Sequence, residues 1–231
     1  MELKIQSLNV RLWTKENNPF KPHFWLWRTF KQAIMFLVES PDVICLQEVQ
    51  RPVGGFLLGL WRYKGFGTDT RIPIFVKKKT LRKKFVVFDT DIHGGTNKTN
   101  GHGSNILHCR AISPQSYIFN IQNCHLSWVT EKIKKEMRCG FVYNTIFCGD
   151  MNVRKDGFIN NLKKYSHLED GEFIVYPKTP TGPTYINYDN PDNKEDIDQF
   201  GFVGKAAPGA VVTVLPNKLS DHFPAIAKFE I

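Results

Sequence analysis

The sequence predicts an α+β fold in which two sheets pack face to face with helices outside. The chain has 231 residues and 42% of them are hydrophobic, which is enough apolar surface to build a sizeable core. Strand-like segments greatly outnumber helical ones, and the segments at both ends of the sequence are typical of core strands. No internal repeat and no linker divides the sequence, so we expect a single domain over residues 1–231.

The first elements are predicted as a strand, a helix and a strand. Residues 3–10 alternate apolar and polar side chains, as a half-buried strand does. Residues 24–38 carry apolar side chains at helical spacing, and core packing is the expected role of Trp27. Pro41 ends this helix because it disfavours helical geometry in the residue before it. The short apolar run at 42–46 then predicts a buried strand.

Further strands and two shorter helices complete the prediction. A helix is expected over residues 129–141, and the spacing of Phe158, Leu162 and Tyr165 indicates another. Residues 93–101 are too polar and glycine-rich to be anything but a loop. Strands are predicted at 72–76, 84–89, 104–111, 117–123, 143–148, 211–215 and 226–231.

The charge balance indicates an anionic partner. Lys and Arg number 31 against 22 for Asp and Glu, which gives a net charge of +9. Such an excess attracts polyanions and speeds their encounter with the protein. Nucleic acid and an anionic membrane surface are the two candidates, and a protein that is simply basic is the plainer alternative.

The cysteines and the hydropathy pattern bear on the compartment. The chain has 5 cysteines, an odd count without a CxxC pair, which argues against a disulfide framework or a zinc site. It shows no signal-peptide stretch and no apolar run near the ~20 residues of a membrane span. We therefore expect an intracellular, cytoplasmic protein without a membrane span, and we assume a monomer.

Acidic, amide and histidine side chains follow several predicted strands, where a strand end directs a side chain into a cleft. Glu48, Asp221 and the amide oxygen of Asn9 would form part of the oxygen shell that Mg²⁺ prefers. Asp150 could complete this shell or face an attacking water. A histidine such as His125 could donate hydrogen bonds to phosphoryl oxygens or move protons near neutral pH. Each residue alone is more simply explained as a solvated strand end or a turn, but their joint occurrence is not.

Several segments, in order along the chain, resemble motifs of the endonuclease/exonuclease/phosphatase superfamily. The resemblance runs from residue 7 to residue 224 and so covers essentially the whole chain. The matching segments are 7–11 (Ser-Leu-Asn-Val-Arg), 41–49 (Pro-Asp-Val-Ile-Cys-Leu-Gln-Glu-Val), 123–126 (Asn-Cys-His-Leu), 148–152 (Cys-Gly-Asp-Met-Asn), 197–200 (Ile-Asp-Gln-Phe) and 219–224 (Leu-Ser-Asp-His-Phe-Pro).

This resemblance implies a DNase I-like four-layer α/β-sandwich, with two packed, mainly antiparallel sheets flanked by helices and a site at one end of both sheets. The resemblance also implies a role for each site residue. It leaves open whether Asp150 or His222 takes the proton of the attacking water. The implied roles are metal binding for Asn9, Glu48 and Asp221, positioning of water and phosphate for Asp150 and Asn152, orientation of His222 by Asp198, and flanking of the scissile phosphate by His125 and His222.

The sequence departs from the superfamily pattern in three places. Cys124 stands where the family has Thr, and Gln199 stands where it has an aromatic residue, so we expect a more polar cleft wall at Gln199. The stretch between His125 and Asp150 is also short for the family. None of these departures removes a catalytic group.

The leading functional hypothesis is a Mg²⁺- or Mn²⁺-dependent endonuclease that hydrolyses DNA by in-line attack of water. In having a histidine at position 125, the sequence resembles the DNase I, sphingomyelinase and phosphatase branches of the superfamily. A phosphatase or phosphodiesterase for a small phosphorylated molecule or a lipid headgroup is therefore an alternative. A basic DNA-binding module without turnover is a third hypothesis, from a different class.

A run of cations is the predicted contact surface for nucleic acid. It lies between two predicted strands, where we expect an exposed hairpin, and it could neutralise phosphates. A solvated sheet edge that resists aggregation explains such a run equally well, and the net charge favours nucleic acid. The predicted contact residues are Arg11, Lys77, Lys78, Lys79, Arg82, Lys83 and Lys84.

Overall fold

The computed structural model describes residues 1–11, 24–49, 60–93, 105–126, 141–169, 171–186, 190–216 and 220–231. In chain order its elements are β1 (Glu2–Asn9), α1 (Trp25–Glu39), β2 (Val43–Gln47), a 3₁₀ turn (Leu60–Arg62), β3 (Tyr63–Phe66), β4 (Ile74–Lys77), α2 (Lys78–Lys83), β5 (Val86–His93), β6 (Asn105–Ile112), β7 (Ile118–His125), β8 (Thr145–Asp150), α3 (Lys155–Tyr165), β9 (Phe173–Val175), β10 (Lys178–Thr179), β11 (Tyr185–Ile186), β12 (Lys194–Glu195), β13 (Asp198–Val203), β14 (Gly209–Val214) and β15 (Ala225–Glu230).

Most strands belong to two sheets that pack face to face. The first sheet has seven strands in the order β10-β14-β15-β1-β2-β4-β3, and the second has six in the order β5-β6-β7-β8-β13-β9. One buried apolar cluster lies between the sheets and two more lie on their outer faces, where they include Phe36 of α1 and Phe158 of α3. Helix, sheet, sheet and helix thus form four layers, and the predicted fold class is confirmed.

Each sheet has a parallel pair of strands near its centre. β1 runs parallel to β2 in the first sheet and β7 runs parallel to β8 in the second, whereas most other pairs are antiparallel. The two parallel pairs contact each other across the interface between the sheets. Since the carboxyl ends of parallel strands meet at one edge, the residues that end these strands gather at one end of the sandwich.

A buried asparagine joins the two sheets directly below that end. Asn123 of β7 is fully buried. Its Nδ2 lies 2.8 Å from the carbonyl oxygen of Leu46, 2.9 Å from that of Ile72 and 3.1 Å from that of Pro73, while its Oδ1 accepts a 2.6 Å hydrogen bond from Gln47 Nε2. One side chain of the second sheet therefore satisfies several polar groups of the first, which would be costly to leave unpaired in the interior.

Helix α1 confirms the predicted helix but not its predicted orientation. Trp27 is 54% exposed, so its expected role in the core was wrong. The face turned toward the sheet carries Arg28, Thr29 and Gln32, together with the apolar Met35 and Phe36. The outer face of β1 explains part of this reversal, since it presents the polar Gln6, whose Nε2 donates to Met35 Sδ at 3.0 Å.

The other elements agree with the sequence in part. The strands predicted at 72–76, 84–89, 104–111, 117–123, 143–148, 211–215 and 226–231 are confirmed within a few residues. The predicted hairpin between β4 and β5 was wrong, because this segment forms the short helix α2. The predicted helix at 129–141 and most of the predicted loop at 93–101 lie outside the described residues. The sequence did not predict the short strands β3 and β9 to β12, and it also missed the six-residue strand β13.

Two further findings concern the cysteines and the helices. Cys45, Cys109 and Cys148 are buried free thiols, Cys124 is also buried, and Cys139 lies outside the described residues. Among the described helices, none has both the length and the apolar character needed to cross a bilayer.

We predict that Asn123→Ala lowers the free energy of unfolding by about 3 kcal/mol, because it removes the buried side-chain donor that the carbonyl groups of Leu46, Ile72 and Pro73 share. Urea unfolding followed by circular dichroism would measure the change. Asn120→Ala is the matched control, since Asn120 lies on the same strand and its side chain donates to one carbonyl, that of Tyr143, at 3.1 Å. Equal losses of stability in both variants would contradict the joining role of Asn123.

Candidate functional site

The strand ends bring most of the predicted site residues together. Asn9 ends β1, His125 ends β7 and Asp150 ends β8, while Glu48 follows β2 directly. In the register of the second sheet, Asp150 pairs with His125 on one side and with Asp198 on the other. The hydrogen-bonding register alone therefore places carboxylates and histidines from distant parts of the chain beside each other.

Unusual backbone conformations occur at the same strand ends. Arg11, Glu48 and Asn152 have positive φ angles of 56°, 57° and 51°. Such a conformation costs a residue other than glycine roughly 1 kcal/mol or more, and it persists where the surrounding structure holds it in place. Each of these residues lies one or two positions beyond a strand whose end faces the site, so the chain turns sharply at this edge of the sandwich.

Gly149 is required for the close approach of β7 and β8. Its φ is +136°, and a Cβ atom at this position would lie 2.0 Å from the carbonyl oxygen of Cys124. No side chain fits there without separating the two strands. Glycine at 149 thus allows Asp150 to lie beside His125 at the ends of the parallel pair.

Asn9 bridges two carboxylates of the site. Its Nδ2 donates to Glu48 Oε1 at 3.1 Å and to Asp150 Oδ2 at 3.0 Å, while its Oδ1 accepts from the backbone N–H of Arg11 at 2.9 Å. The Arg11 donor identifies which amide atom is the oxygen. The amide nitrogen of Asn9, and not the oxygen that the sequence prediction assigned to the metal, therefore faces the carboxylates.

Asp150 lies at the centre of the cluster and is almost fully buried. Its Oδ1 accepts from the backbone N–H of Asn152 at 2.9 Å, and its Oδ2 lies 3.6 Å from His222 Nε2 and 3.8 Å from His125 Nε2. Burial raises the pKa of Asp150 above its ordinary value, and the neighbouring Asp198 raises it further, while the two histidines and the Asn152 N–H counteract this rise. The carboxylate therefore needs the cationic groups around it.

His222 and Asp198 form a buried ion pair. The Nδ1 of His222 lies 2.8 Å from Asp198 Oδ2, which directs Nε2 toward Asp150. Burial by itself lowers the pKa of His222, but the charges of Asp198 and Asp150 and the hydrogen bond to Asp198 outweigh it and raise this pKa to about 10. His222 is thus an imidazolium at neutral pH, with Asp198 holding its orientation.

Arg11 and Asp221 connect the last motif to the first. Arg11 Nη1 lies 3.1 Å from Asp221 Oδ2, and Ser220 Oγ donates to the carbonyl oxygen of Asn9 at 2.6 Å. These contacts hold the segment before β15 against the end of β1. The predicted nucleic-acid contact at Arg11 is therefore engaged with a carboxylate of the site.

Asn152 is held beside the cluster by its amide. Its Nδ2 donates to the carbonyl oxygen of Leu126 at 2.7 Å, the residue after His125. This bond ties the turn after β8 to the end of β7. The side-chain oxygen of Asn152 is a hydrogen-bond acceptor suited to a water molecule.

Sequence reasoning missed three residues around the ion pair. Thr184 is fully buried, and its Oγ1 accepts from the backbone N–H of Asp198 at 2.9 Å. The ring of Tyr185 lies 5.0 Å from the ring of His222, at the half-buried rim of the site. Lys178 is buried, and its Nζ donates to the carbonyl oxygen of Asp198. No motif indicated these residues, because they act through backbone contacts and through packing against His222.

Gln199 does not form the polar cleft wall expected for it. Its side chain is fully buried, its Oε1 lies 3.2 Å from Lys178 Nζ and its Nε2 donates to the carbonyl oxygen of Asp196 at 2.9 Å. Alternation along β13 turns it away from the face that carries Asp198. The polar side chain at this position is therefore paired in the interior with the buried Lys178.

The donor set fits a hard cation. Asp221 Oδ1 is buried and has no hydrogen-bond partner among the described residues, and Glu48 is half-buried at the same end of the sandwich. Within the part of the chain that the structure describes, no group of three or more acidic, histidine or cysteine side chains forms a ready ligand shell. Mg²⁺ commonly binds through one or two carboxylates and several waters. The Oδ1 atom of Asp221 and the carboxylate of Glu48 are therefore suitable partial ligands.

The cationic run lies at the other end of the sandwich. Val76 of β4 pairs with Val43 at the start of β2, whereas Glu48 follows the end of β2. The backbone N–H of Lys77 donates to the carbonyl oxygen of Asp42, six residues before Glu48, so at ~3.3 Å per residue the run lies about 20 Å from the site. Two of its lysines also bind within the fold, since Lys77 Nζ donates to Ser40 Oγ and Lys84 Nζ donates to Asp42 Oδ2. The structure therefore does not bring Lys77, Lys78, Lys79, Arg82, Lys83 and Lys84 to the site.

We predict that Asp198→Asn lowers the pKa of His222 from about 10 by roughly one to two units, because the largest charge that favours the imidazolium is removed. The ¹H NMR titration of the His222 ring, in metal-free buffer, would measure it. The raised pKa stabilises the folded state below pH 6.5, and this contribution is lost as the pH rises through about 10, so the variant should also show a weaker fall in stability across this range.

Asp192→Asn, a change of an exposed acid, is the control and should leave the titration unchanged. An unaltered His222 titration in Asp198→Asn would contradict the assignment of the ion pair as the cause.

Comparisons with known proteins give the fold. No protein-family model and no curated protein sequence matches the chain. Among solved structures, D. rerio TDP2 complexed with a single-strand DNA product is 18% identical with a TM-score of 0.72, and the match covers 100% of this chain and 99% of that one. The human Nocturnin catalytic domain is 16% identical with a TM-score of 0.63, covering 99% and 94%.

ANGEL2, a 2',3'-cyclic phosphatase, is 14% identical with a TM-score of 0.68, covering 99% of this chain and 95% of that one. Identities this low establish shared architecture and nothing finer. The two facing sheets and the end-to-end structural match agree: this chain has the DNase I-like α/β-sandwich fold.

Proposed function

We propose that this chain is a divalent-metal-dependent phosphodiesterase that hydrolyses nucleic acid, with DNA as its substrate, by in-line attack of water. The observation that carries the proposal is the convergence of oxygen donors and histidines at one end of the two sheets. The residues concerned are Asn9, Glu48, His125, Asp150, Asn152, Asp198, Asp221 and His222. Structural neighbours with this fold include a protein solved with a DNA product, which supports the choice of substrate.

Glu48 and Asp221 would hold the metal, which we propose to be Mg²⁺ or Mn²⁺. When bound, the ion would supply positive charge that offsets the phosphate and stabilises the leaving oxygen. Asn9 positions Glu48 through its amide nitrogen, and Arg11 positions Asp221 through the 3.1 Å ion pair. The protein's own side chains thus hold both carboxylates in place.

The protonation states assign different roles to Asp150 and His222. A group that is already protonated cannot take a proton from water, and the pKa of His222 is raised to about 10. We therefore propose that Asp150 orients the attacking water and accepts its proton, with Oδ1 fixed by the Asn152 N–H. His222 and His125 then face the phosphoryl oxygens as hydrogen-bond donors, and Asp198 keeps the His222 proton in place.

A phosphatase or phosphodiesterase for a small phosphorylated molecule or a lipid headgroup is the second candidate. The position of the cationic run favours it, because that run lies about 20 Å from the site along β2. A short substrate at the strand ends would not reach these cations. A nucleic-acid substrate would use them through long-range attraction or by extending along the protein.

We predict that Asp150→Asn and His222→Gln each lower kcat for metal-dependent nicking of plasmid DNA by roughly 10³-fold, because each removes a group that acts on the water or the phosphate. Gel analysis with Mg²⁺, with Mn²⁺ and with EDTA would measure it. Exposed Asp156→Asn is the matched control and should cleave normally. Wild-type turnover in EDTA, or in either site variant, would contradict the proposal.

We predict that reversing the charge of Lys78 and Lys79 lowers kcat/KM for long DNA several-fold at low salt, because it weakens the attraction of the polyanion. The same variant should hydrolyse bis(p-nitrophenyl) phosphate at the wild-type rate, since this small ester contacts only the strand ends. Steady-state rates at several salt concentrations would measure both. If the variant processes long DNA normally at every salt concentration, the cationic run has no part in binding.

A further inference from the structure

Helix α1 presents an apolar face to solvent. Phe30 is 60% exposed and Val38 is 74% exposed, whereas Arg28, Thr29 and Gln32 of the same helix are buried against the sheet. A surface helix of a globular protein normally has the opposite arrangement, with its apolar stripe inside. The exposed residues lie on one side at helical spacing, and together they are the apolar face: Leu26, Trp27, Phe30, Ile34, Leu37 and Val38.

A third exposed aromatic residue, after Trp27 and Phe30, lies on the same outer face of the first sheet. Trp61 of the 3₁₀ turn is strongly exposed. Its neighbours Leu60 and Tyr63 belong to the buried cluster that also contains Met35 and Phe36 of α1. The turn and the helix therefore cover one side of the sheet, and their exposed aromatic side chains belong to one surface.

The charges within this surface are positive. Lys31 is exposed among the residues of the apolar face, and the guanidinium of Arg62 lies 4.6 Å from the ring centroid of Trp61. Glu39 is the one acidic residue of α1 and the turn, and its Oε2 lies 2.9 Å from Lys4 Nζ. The partner for this surface should accordingly be both apolar and anionic.

We propose that the apolar face of α1, with Trp61 and its flanking cations, docks on an anionic lipid bilayer. Exposed Trp, Phe and Leu side chains enter the boundary between headgroups and acyl chains, and neighbouring Lys and Arg side chains bind anionic headgroups. α1 lies across the first sheet, whereas the candidate active site opens at the strand ends. Docking through α1 therefore leaves the mouth of the site at the edge of the contact, open to substrate.

A second copy of the chain fits this surface less well. In a two-fold symmetric contact the same patch meets itself, so Lys31 of each copy would approach the other. The net charge of +9 adds a repulsion between copies. An anionic bilayer offers acyl chains to the apolar face and negatively charged headgroups to Lys31 and Arg62.

Vesicle flotation with the full chain tests the proposal, and it does not depend on catalysis. The probes are vesicles of phosphatidylcholine alone and vesicles in which part of it is replaced by phosphatidylglycerol, at physiological ionic strength. We expect flotation with the anionic vesicles and a roughly tenfold loss of binding in Phe30→Glu, because a charge would enter the acyl boundary. Phe88→Glu is the matched control, since Phe88 is 55% exposed on β5 of the other sheet, and it should bind as the wild type does.

Several outcomes would overturn the proposal. Failure of the wild type to float, or equal binding by wild type and Phe30→Glu, would remove the role of α1. Binding that is lost on charge reversal at Lys78 and Lys79 but kept in Phe30→Glu would assign the membrane contact to the cationic run. A dimer in solution that Phe30→Glu dissociates, without vesicle binding, would assign the apolar face to self-association. Phe30→Glu and Phe88→Glu lie outside the site and should keep the wild-type rate on a soluble phosphodiester.

Discussion

The hydrogen bonds of Asn123 are the constraint on which the rest of the structure depends. This side chain joins the second sheet to the carbonyl groups of Leu46, Ile72 and Pro73, and it continues through Gln47 to Ser7 Oγ on β1. The network lies one residue before Glu48 and two residues before His125. A shift between the sheets would break it and would also separate the two halves of the site. Buried polar groups at this level thus fix a single relative position, which apolar packing alone specifies less strictly.

Above this network the site balances buried charges that would each be unfavourable alone. Asp150 and Asp198 are cross-strand neighbours with little exposure to solvent, and His222 lies between them. Desolvation opposes every one of these charges, so each is stabilised only by the others. The raised pKa of His222 follows from this arrangement, and so does the position of Lys178 at the Asp198 carbonyl group. The geometry of the candidate site is therefore also an electrostatic condition for folding this edge of the sandwich.

The sequence predicted most of the longer strands and the fold class because these depend on local patterns of apolar and polar side chains, and its motifs nominated the residues of the candidate site. Asp150 and Glu48 follow apolar runs directly, and their motifs lie in the family order. It failed where tertiary context decides. The apolar spacing of α1 identified a helix but not which side faces the sheet, since the polar outer side of β1 at Gln6 is not visible within the helix itself. The positive charge of the cationic run was evident from the sequence. Its position at the end of the sandwich opposite the site was not, because that position follows from the antiparallel pairing of β2 with β4. Thr184 and Lys178 carry no motif, because they act on Asp198 through its backbone.

The distribution of charge indicates a further role for the proposed cation. The chain as a whole is strongly basic, but the site is locally acidic, with Glu48, Asp150, Asp198 and Asp221 at one end of the sandwich. Arg11 already binds Asp221, and the cation of His222 is shared between Asp198 and Asp150. A phosphate entering this end therefore meets carboxylates whose charge the protein only partly offsets, and the distant cations of the run are screened over about 8 Å at physiological salt. A divalent ion at Glu48 and Asp221 would supply the missing charge before any bond is broken, so in the proposed mechanism it governs substrate binding as well as hydrolysis.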